Sequence, residues 1–314
     1  MKNCLACLQP LGKDEINYHP KCLADFWQED SPVLQLDYSL SELEELAKEN
    51  IAQRIIVPGA QPKLSLGFTE HQEYNRLTIV GALDGRYILK PPVPQHPQMP
   101  EIESLSMLMA QACGITTVPF LLIPLKNGEL AYLTRRIDRD AKGNKYAMED
   151  ACQFTERLTE HKYRGSNEQI AKAILKYNGS RLIDVVRFYE VVIVSYLIGN
   201  NDMHLKNFSL ISRKPGSYEL APAYDVLAVQ LLMPEDDEEL ALTLNGKKKK
   251  LKKQDFDTAM LNAGIPEKAV DNLWRRINKG MQEWADLIGN SFLSLNQKTA
   301  FIELINLKTQ ILKI

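Results

Sequence analysis

The sequence lacks the features that mark several classes of protein. Its 314 residues contain no apolar run near the ~20 residues of a membrane-spanning helix. Its 38 Lys and Arg nearly balance 40 Asp and Glu, so no overall positive field favours nucleic acid. Glycine and proline, 16 of each, are too few for a collagen-like or low-complexity chain. The first residues, Met1-Lys2-Asn3-Cys4, lack the apolar stretch of a secretory signal, so we expect a cytoplasmic protein that does not contact a membrane.

Cysteine is also scarce, but its distribution is uneven. Of the five cysteines, Cys4, Cys7 and Cys22 lie in the first 22 residues together with His19. Cys-x2-Cys followed by His-x2-Cys provides two pairs of ligands, each from one tight turn, as a tetrahedral Cys3His zinc site requires. A disulfide or incidental thiols are the alternatives, although thiols stay reduced in a protein without an export signal. Because four ligands leave no open position on the metal, we expect the zinc ion to be structural.

Hydrophobic patterning divides the rest of the chain into a β-rich part and a helical part. Short β-rich runs separated by turns occupy residues 55–90, and Asn127-Gly128 predicts a hairpin. The run from Leu182 to Gly199 is the most apolar helix pattern and must be buried on most sides. Further helices are expected at 39–47, 101–113, 254–262, 267–287 and 299–312.

These patterns predict an α+β chain of two lobes, with a cleft between them of the kind in which enzymes bind ligands. The first predicted helix carries Ser41 and Glu44 at the spacing of a capping box. We expect three parts, which are a zinc-ribbon-like segment at 1–30, a β-rich N-lobe at 31–135 and a helical C-lobe at 136–314.

The polar loop after the most apolar helix carries the strongest chemical signal. Asp202 and Asn207 are five residues apart, the offset of Asp and Asn in a kinase catalytic loop, and Asp225 follows 18 residues after Asn207. Phosphoryl transfer uses an aspartate at the acceptor hydroxyl, and amide and carboxylate oxygens that hold Mg²⁺ on the phosphates. A capped turn, in which these side chains bind local backbone amides, is the alternative.

Two upstream features fit the same chemistry. Lys90 ends a predicted strand and Glu103 lies near the start of the next helix, which is the arrangement of a phosphate-binding lysine held by a helix carboxylate. A solvated lysine at the end of a strand is the alternative. In the turn between two early strands, Gly59 would let backbone amides approach phosphates and Lys63 would add positive charge.

These segments together resemble those of HipA-like protein kinases, the toxins of bacterial toxin–antitoxin modules. The resemblance spans roughly residues 55–230 and rests on Gly59-Ala60-Gln61-Pro62-Lys63, Ile88-Leu89-Lys90, Arg136-Ile137-Asp138-Arg139, Asn201-Asp202-Met203-His204-Leu205-Lys206-Asn207-Phe208-Ser209 and Ala223-Tyr224-Asp225. It implies a bilobal, protein-kinase-like fold and transfer of phosphate from ATP to serine or threonine of a protein.

The resemblance also implies a role for each matching residue. Asp202 would be the catalytic aspartate, and Asn207 and Asp225 the Mg²⁺ ligands. Lys90, held by Glu103, would contact the phosphates of ATP. The loop that contains Gly59, Ala60, Gln61 and Lys63 would cover those phosphates, and His204 and Lys206 would support the catalytic loop.

The family further implies partners and a target. An aminoacyl-tRNA synthetase would be a possible protein substrate, so that phosphorylation would arrest translation and growth. An antitoxin of the HipB or HipS/HipB type would bind the chain, and DNA would be contacted only through that antitoxin. A small-molecule or lipid kinase, or a non-catalytic nucleotide-binding adaptor, remains the alternative function.

Two sequence features bear on regulation and on DNA binding. Family members often carry an autophosphorylated serine just before the Gly59 loop, but Ile56, Val57 and Pro58 have no hydroxyl group. The lysine run at 247–250 and 252–253 could contact nucleic-acid phosphates or could be the exposed, lysine-rich edge of a hairpin that turns at Asn245-Gly246. We favour the hairpin, because the acidic residues at 235–239 offset the positive field.

Overall fold

The computed structural model describes residues 2–28, 32–43, 45–46, 62–70, 75–81, 85–140, 143–179 and 181–314. The predicted strand at 55–57, the residues Ile56, Val57 and Pro58, and Gly59, Ala60 and Gln61 lie outside these ranges. The strands are β1 (Leu64–Glu70), β2 (Asn75–Ile79), β3 (Tyr87–Lys90), β4 (Phe120–Pro124), β5 (Leu130–Arg135), β6 (Ala147–Asp150), β7 (Ser209–Lys214) and β8 (Ser217–Leu220).

The helices lie mainly in the second half of the chain, as the sequence predicted. They are α1 (Pro20–Trp27), α2 (Met99–Ala112), α3 (Ala151–Phe154), α4 (Asn167–Tyr177), α5 (Leu182–Ile198), α6 (Lys253–Asn262), α7 (Glu267–Met281), α8 (Trp284–Asn290) and α9 (Leu295–Leu312). Residues 40–43 and 45–46 are helical as well. In the part of the chain that the structure describes, no helix has both the length and the apolar character to cross a membrane.

The chain divides into two compact units. Unit 1 comprises Met1–Ser104, Val118–Lys145 and Asn290–Phe292, and unit 2 comprises Leu105–Thr117, Tyr146–Gly289 and Leu293–Ile314.

Unit 1 is built on an antiparallel five-stranded sheet in the order β2-β1-β3-β5-β4. The predicted Asn127-Gly128 turn joins β4 to β5, and Gly128 has a φ of 86°, which a residue with a side chain rarely adopts. Aromatic side chains from the N-terminal segment complete the core, since the rings of Phe26 and Trp27 lie 5.8 and 5.2 Å from that of Tyr87.

Unit 2 is organised around α5, which packs against α4 and α9. Thirteen of its 17 residues are buried, as its nearly continuous apolar sequence predicted. The helix ends at Gly199 in the left-handed conformation (φ 76°), where a Cβ atom would lie 2.7 Å from Cδ2 of Leu304. Glycine is therefore required at the point where the chain turns into the polar loop.

Unit 2 also contains a three-stranded antiparallel sheet in the order β6-β7-β8. In this sheet Asp150 at the end of β6 is paired with Ser209 at the start of β7. Asp225 lies in the loop after β8, which ends at Leu220, and it has a φ of 57°.

Two predicted helices differ in detail from the structure. In the helix that includes residues 40–43, Ser39 and Glu42 form a capping box, since Oε2 of Glu42 accepts from the Ser39 amide at 2.6 Å and Oγ of Ser39 accepts from the Glu42 amide at 3.3 Å. Glu44 of the predicted Ser41 and Glu44 box lies outside the described residues. The predicted helix at 267–287 is two helices, α7 and α8.

The lysine run lies in a turn region and is paired with acidic residues. Asn245 and Gly246 both have positive φ, as a two-residue hairpin turn requires, but the structure has isolated bridges here and no edge strand. Lys247 and Lys248 form ion pairs with Asp255 (2.7 Å) and Glu238 (3.1 Å), and Lys249 is paired with Asp237. These acids offset the local positive charge, as the sequence indicated, whereas the predicted lysine-rich edge strand was wrong.

Candidate functional site

The polar loop at 200–208 folds around the backbone of Asp202. The carbonyl oxygen of Asp202 accepts a hydrogen bond from the His204 amide at 2.8 Å and from Nδ2 of Asn207 at 3.1 Å. The Asp202 amide donates to Oδ1 of Asn200, which is fully buried, at 3.3 Å. Because the amide nitrogen of Asn207 binds this carbonyl, its side-chain oxygen is the atom available to a cation.

The carboxylate of Asp202 is half-buried and in contact with a residue that the sequence reasoning missed. The hydroxyl of Tyr163 donates to Oδ1 of Asp202 at 2.6 Å. Tyr163 lies in the segment before α4, and its neighbour Lys162 accepts a backbone hydrogen bond from Leu205 at 3.1 Å. Burial and the hydrogen bond to the carboxylate both raise the pKa of Tyr163, so it is a protonated donor at neutral pH.

His204 is buried beside these groups. Its ring makes an edge-to-face contact with Tyr163 at 5.1 Å, and its Nδ1 atom has no hydrogen-bond partner among the described residues. Burial lowers the pKa of His204, although the negative charges of Asp202 and Asp225 act in the opposite direction. The imidazole is therefore neutral at pH 7.

Lys206 is turned towards β6. Its Nζ lies 2.5 Å from Oδ2 of Asp150. Asp150 also caps α3, because its Oδ1 accepts from the Gln153 amide at 3.1 Å. The D-x-x-Q capping signal was present in the sequence, but nothing local connected Asp150 with Lys206. The pairing of Asp150 with Ser209 in the sheet brings Asp150 close to Lys206.

Tyr224 links the loop that carries Asp225 to the loop that carries Asp202. Its hydroxyl donates to the carbonyl oxygen of Lys206 at 3.1 Å and lies 2.5 Å from Oγ of Ser209. The charge of Asp225 acts on the pKa values of both Tyr224 and His204. The contacts of Tyr224 thus place the neighbouring residue Asp225 close to the loop that carries Asp202 and Asn207, although Asp225 is distant in the sequence.

In unit 1, Lys90 and Glu103 form the predicted ion pair, with Nζ of Lys90 donating to Oε1 of Glu103. Both side chains are buried, with 4% and 1% of their surfaces exposed, which excludes the alternative of a solvated lysine. The ring of Tyr132, opposite Lys90 in the β3–β5 pairing, has its centroid 5.3 Å from Nζ of Lys90. Lys63 is half-buried immediately before β1.

The predicted metal ligands at the N-terminus of unit 1 converge. The ligand atoms of Cys4, Cys7, His19 and Cys22 all lie within 4.8 Å of one another, and none of the cysteines is in a disulfide. Cys4 is fully buried, and a hydrogen bond with Cys7 lowers its pKa to about 4. Three thiols and an imidazole form a donor set typical of zinc.

Comparison with known proteins assigns the chain to a family. The sequence profile of the HipA-like C-terminal domain matches residues 55–285. A Haemophilus influenzae protein named "Putative kinase" is 28% identical over 73% of this chain and 69% of its own length. "Putative kinase Y4dM" of Sinorhizobium fredii is 32% identical over 70% of this chain and 56% of its own length. The chain therefore belongs to the HipA-like C-terminal domain family.

Solved structures show the same fold. HipA from Shewanella oneidensis MR-1, determined in a complex with HipB and operator DNA, superposes with a TM-score of 0.66 and 19% identity, covering 86% of this chain and 69% of that chain. The Helicobacter pylori proinflammatory kinase CtkA superposes with a TM-score of 0.58 and 16% identity, covering 82% and 91% of the two chains. The predicted HipA-like, α+β kinase fold is confirmed.

Proposed function

We propose that the chain is an ATP- and Mg²⁺-dependent serine/threonine protein kinase of the HipA-like toxin type that acts in the cytoplasm. The observation that carries the proposal is the loop of unit 2 that holds Asp202 and Asn207 together by its own hydrogen bonds, with the loop of Asp225 attached to it through Tyr224. The kinase names of the relatives and the buried Lys90–Glu103 pair support it.

Each residue has a distinct role in this proposal. The carboxylate of Asp202 orients the acceptor hydroxyl and accepts its proton. The side-chain oxygens of Asn207 and Asp225 fit Mg²⁺, which prefers carboxylate and amide oxygens and, when bound, neutralises charge on the phosphates. Lys90, oriented by Glu103, binds phosphate oxygens, and His204 and Lys206 hold the loop. As the family resemblance implies, Gly59, Ala60, Gln61 and Lys63 would cover the phosphates.

The proposed partners follow the family. A translation component such as an aminoacyl-tRNA synthetase is the protein substrate, and an antitoxin of the HipB or HipS/HipB type binds the chain. DNA is reached only through that antitoxin, since acidic side chains pair with the lysines at 247–249. Without a hydroxyl at Ile56, Val57 or Pro58, control by the antitoxin replaces self-phosphorylation before the Gly59 loop.

The test is transfer from γ-labelled ATP with Mg²⁺ in a bacterial lysate. Wild type should label a protein band, whereas Asp202→Asn, which cannot accept the proton, should reduce labelling at least ~100-fold while still binding ATP. Asp286→Asn, on an exposed position of α8, is the matched control and should label the band normally.

Three results would contradict the proposal at different levels. Undiminished labelling by Asp202→Asn would show that Asp202 is not the catalytic residue. Label found only in small molecules or lipids would identify a different class of acceptor. ATP binding without any transfer would show a non-catalytic nucleotide-binding module.

A further inference from the structure

We infer that Cys4, Cys7, His19 and Cys22 bind one zinc ion whose role is to hold residues 2–28 against the outer edge of the five-stranded sheet. The inference concerns unit 1 alone and does not depend on kinase activity. It combines the geometry of the four ligands with the contacts that their segment makes to β4.

The separations of the ligand atoms fit a tetrahedron. With Zn–S bonds of about 2.3 Å and Zn–N bonds of about 2.0 Å, the edges of a tetrahedral site are about 3.5–3.8 Å long. Nδ1 of His19 lies 3.3 Å from Sγ of Cys7 and 3.9 Å from Sγ of Cys22. All four ligand atoms lie within 4.8 Å of one another, so an ion at their centre needs only small side-chain adjustments.

The surroundings of the ligands orient them for a metal. Nε2 of His19 lies 3.1 Å from the carbonyl oxygen of Pro10, and donation to that oxygen leaves Nδ1 unprotonated and directed at the three sulfurs. The turn that carries Cys4 and Cys7 is closed by the Leu8 amide donating to the Cys4 carbonyl at 2.9 Å. The other two ligands lie together at the start of α1. The site therefore joins a turn to a helix.

The same segment covers an edge of the sheet. β4 is the last strand in the sheet order and, among the described strands, pairs only with β5. On its other side, the Leu122 amide donates to the Leu5 carbonyl at 3.0 Å, and the Tyr18 hydroxyl donates to the Leu122 carbonyl at 2.8 Å. Both backbone groups of Leu122 are thus satisfied by the segment that contains the ligands. An exposed edge strand would otherwise pair with other chains.

The segment needs the metal because it has little regular structure of its own. Before α1, the described residues contain one isolated bridge, Asn3 with Pro10, and no strand. Leu5 and Tyr18, which lie next to ligands in the sequence, are buried in the core of unit 1. When ligands come together only in the folded chain, the free energy of metal binding contributes to folding. The zinc ion therefore keeps Leu5 and Tyr18 in position on β4.

The first experiment measures metal content and stability of the full chain purified without chelator. Wild type should contain about one zinc per chain, and Cys22→Ser should lose it. Cys152→Ser is the matched control, because Cys152 is buried and outside the cluster, and it should keep its zinc. His19→Cys preserves four ligands and should keep the metal, with a changed charge-transfer spectrum after cobalt substitution. Wild type without zinc, or with zinc unaffected by Cys22→Ser, would overturn the site.

The second experiment tests the contact with β4 by hydrogen exchange of the backbone amides. Removing zinc from wild type with a chelator should increase exchange at Leu122 and lower the melting temperature. Tyr18→Phe keeps all four ligands, so it should retain zinc but lower the melting temperature by about 2–4 °C, because the Leu122 carbonyl loses its donor. Unchanged exchange at Leu122 after zinc removal would overturn the structural role. None of these readouts involves phosphate transfer, so failure of the kinase proposal is separately detectable.

Discussion

The hydroxyl of Tyr163 donates a hydrogen bond to Oδ1 of Asp202 over 2.6 Å, although 39 residues separate them. Tyr163 is 44% exposed, so the Asp202 carboxylate is bound by a hydroxyl that is itself accessible to solvent. In the proposed reaction, the Tyr163 hydroxyl would therefore compete with the acceptor hydroxyl for Asp202.

Replacing this tyrosine should increase turnover at low substrate concentration. Tyr163→Phe removes the competing hydroxyl but keeps the ring against His204, so the KM for the protein acceptor should fall about three- to tenfold, with kcat little changed. Tyr177→Phe, on the partly exposed end of α4, is the control for the loss of a phenol. Steady-state transfer to the labelled band measures both constants. A large fall in kcat would instead show that Tyr163 positions Asp202.

The Lys206–Asp150 pair should affect transfer more than stability. Asp150→Asn removes the negative charge that holds Lys206 but keeps an oxygen that can cap α3, so the melting temperature should change little. We expect kcat to fall about three- to tenfold, because the loop between Asp202 and Asn207 loses one support. Asp150→Ala removes the cap as well and should lower the melting temperature. A kcat of Asp150→Asn equal to that of wild type would contradict the role of this pair.

The buried Lys90–Glu103 pair should couple stability to nucleotide binding. Lys90→Met leaves the buried charge of Glu103 without this partner and should cost about 3–5 kcal/mol of unfolding free energy as well as most ATP affinity. The double variant Lys90→Met/Glu103→Gln removes both charges and should regain much of the stability but none of the ATP affinity. Denaturant unfolding and ATP titration measure the two quantities. Recovery of ATP binding in the double variant would exclude contact between Lys90 and the phosphates.

Lowering the pH should reduce the stability of unit 1, because Asp138 becomes protonated. Burial by itself would raise the pKa of Asp138, but hydrogen bonds and charge from Arg136 and Arg139 hold it below the ordinary value of 3.8. Because the folded pKa is depressed, the stabilisation is complete above pH ~4 and is lost as the pH falls through the folded pKa. Asp138→Asn should therefore be less stable than wild type at pH 7, and the difference should shrink below pH ~4. Unfolding measured against pH checks this, and a constant difference would contradict it.

Residue spacing was sufficient to predict a group of functional side chains wherever the group lies within one short segment. Asp202 and Asn207 share a loop whose turn is closed by its own backbone. Cys4 and Cys7 lie in one tight turn, and His19 and Cys22 lie at the start of α1, where the sequence had predicted a second turn. The end of α5 was also predictable, because only glycine fits at position 199.

Tertiary contacts determined the side-chain partners that no local sequence pattern predicts. The partners of Asp202 and Lys206, Tyr163 and Asp150, are brought in by chain packing and by the β6–β7 pairing. The predicted helix at 267–287 is interrupted after Met281, beside Gly280, where a Cβ atom would lie 2.4 Å from the Ala112 carbonyl.

Beyond the interruption, the Trp284 indole donates to the Met109 carbonyl at 3.0 Å, a bond between α8 and α2 that helical periodicity does not encode. The sequence by itself thus determined the family, the polar loop and the Cys4, Cys7, His19 and Cys22 cluster, because each depends on the spacing of a few neighbouring residues. Only the tertiary structure decided which side chains hold those groups, because such partners are selected by proximity across the fold and not along the chain.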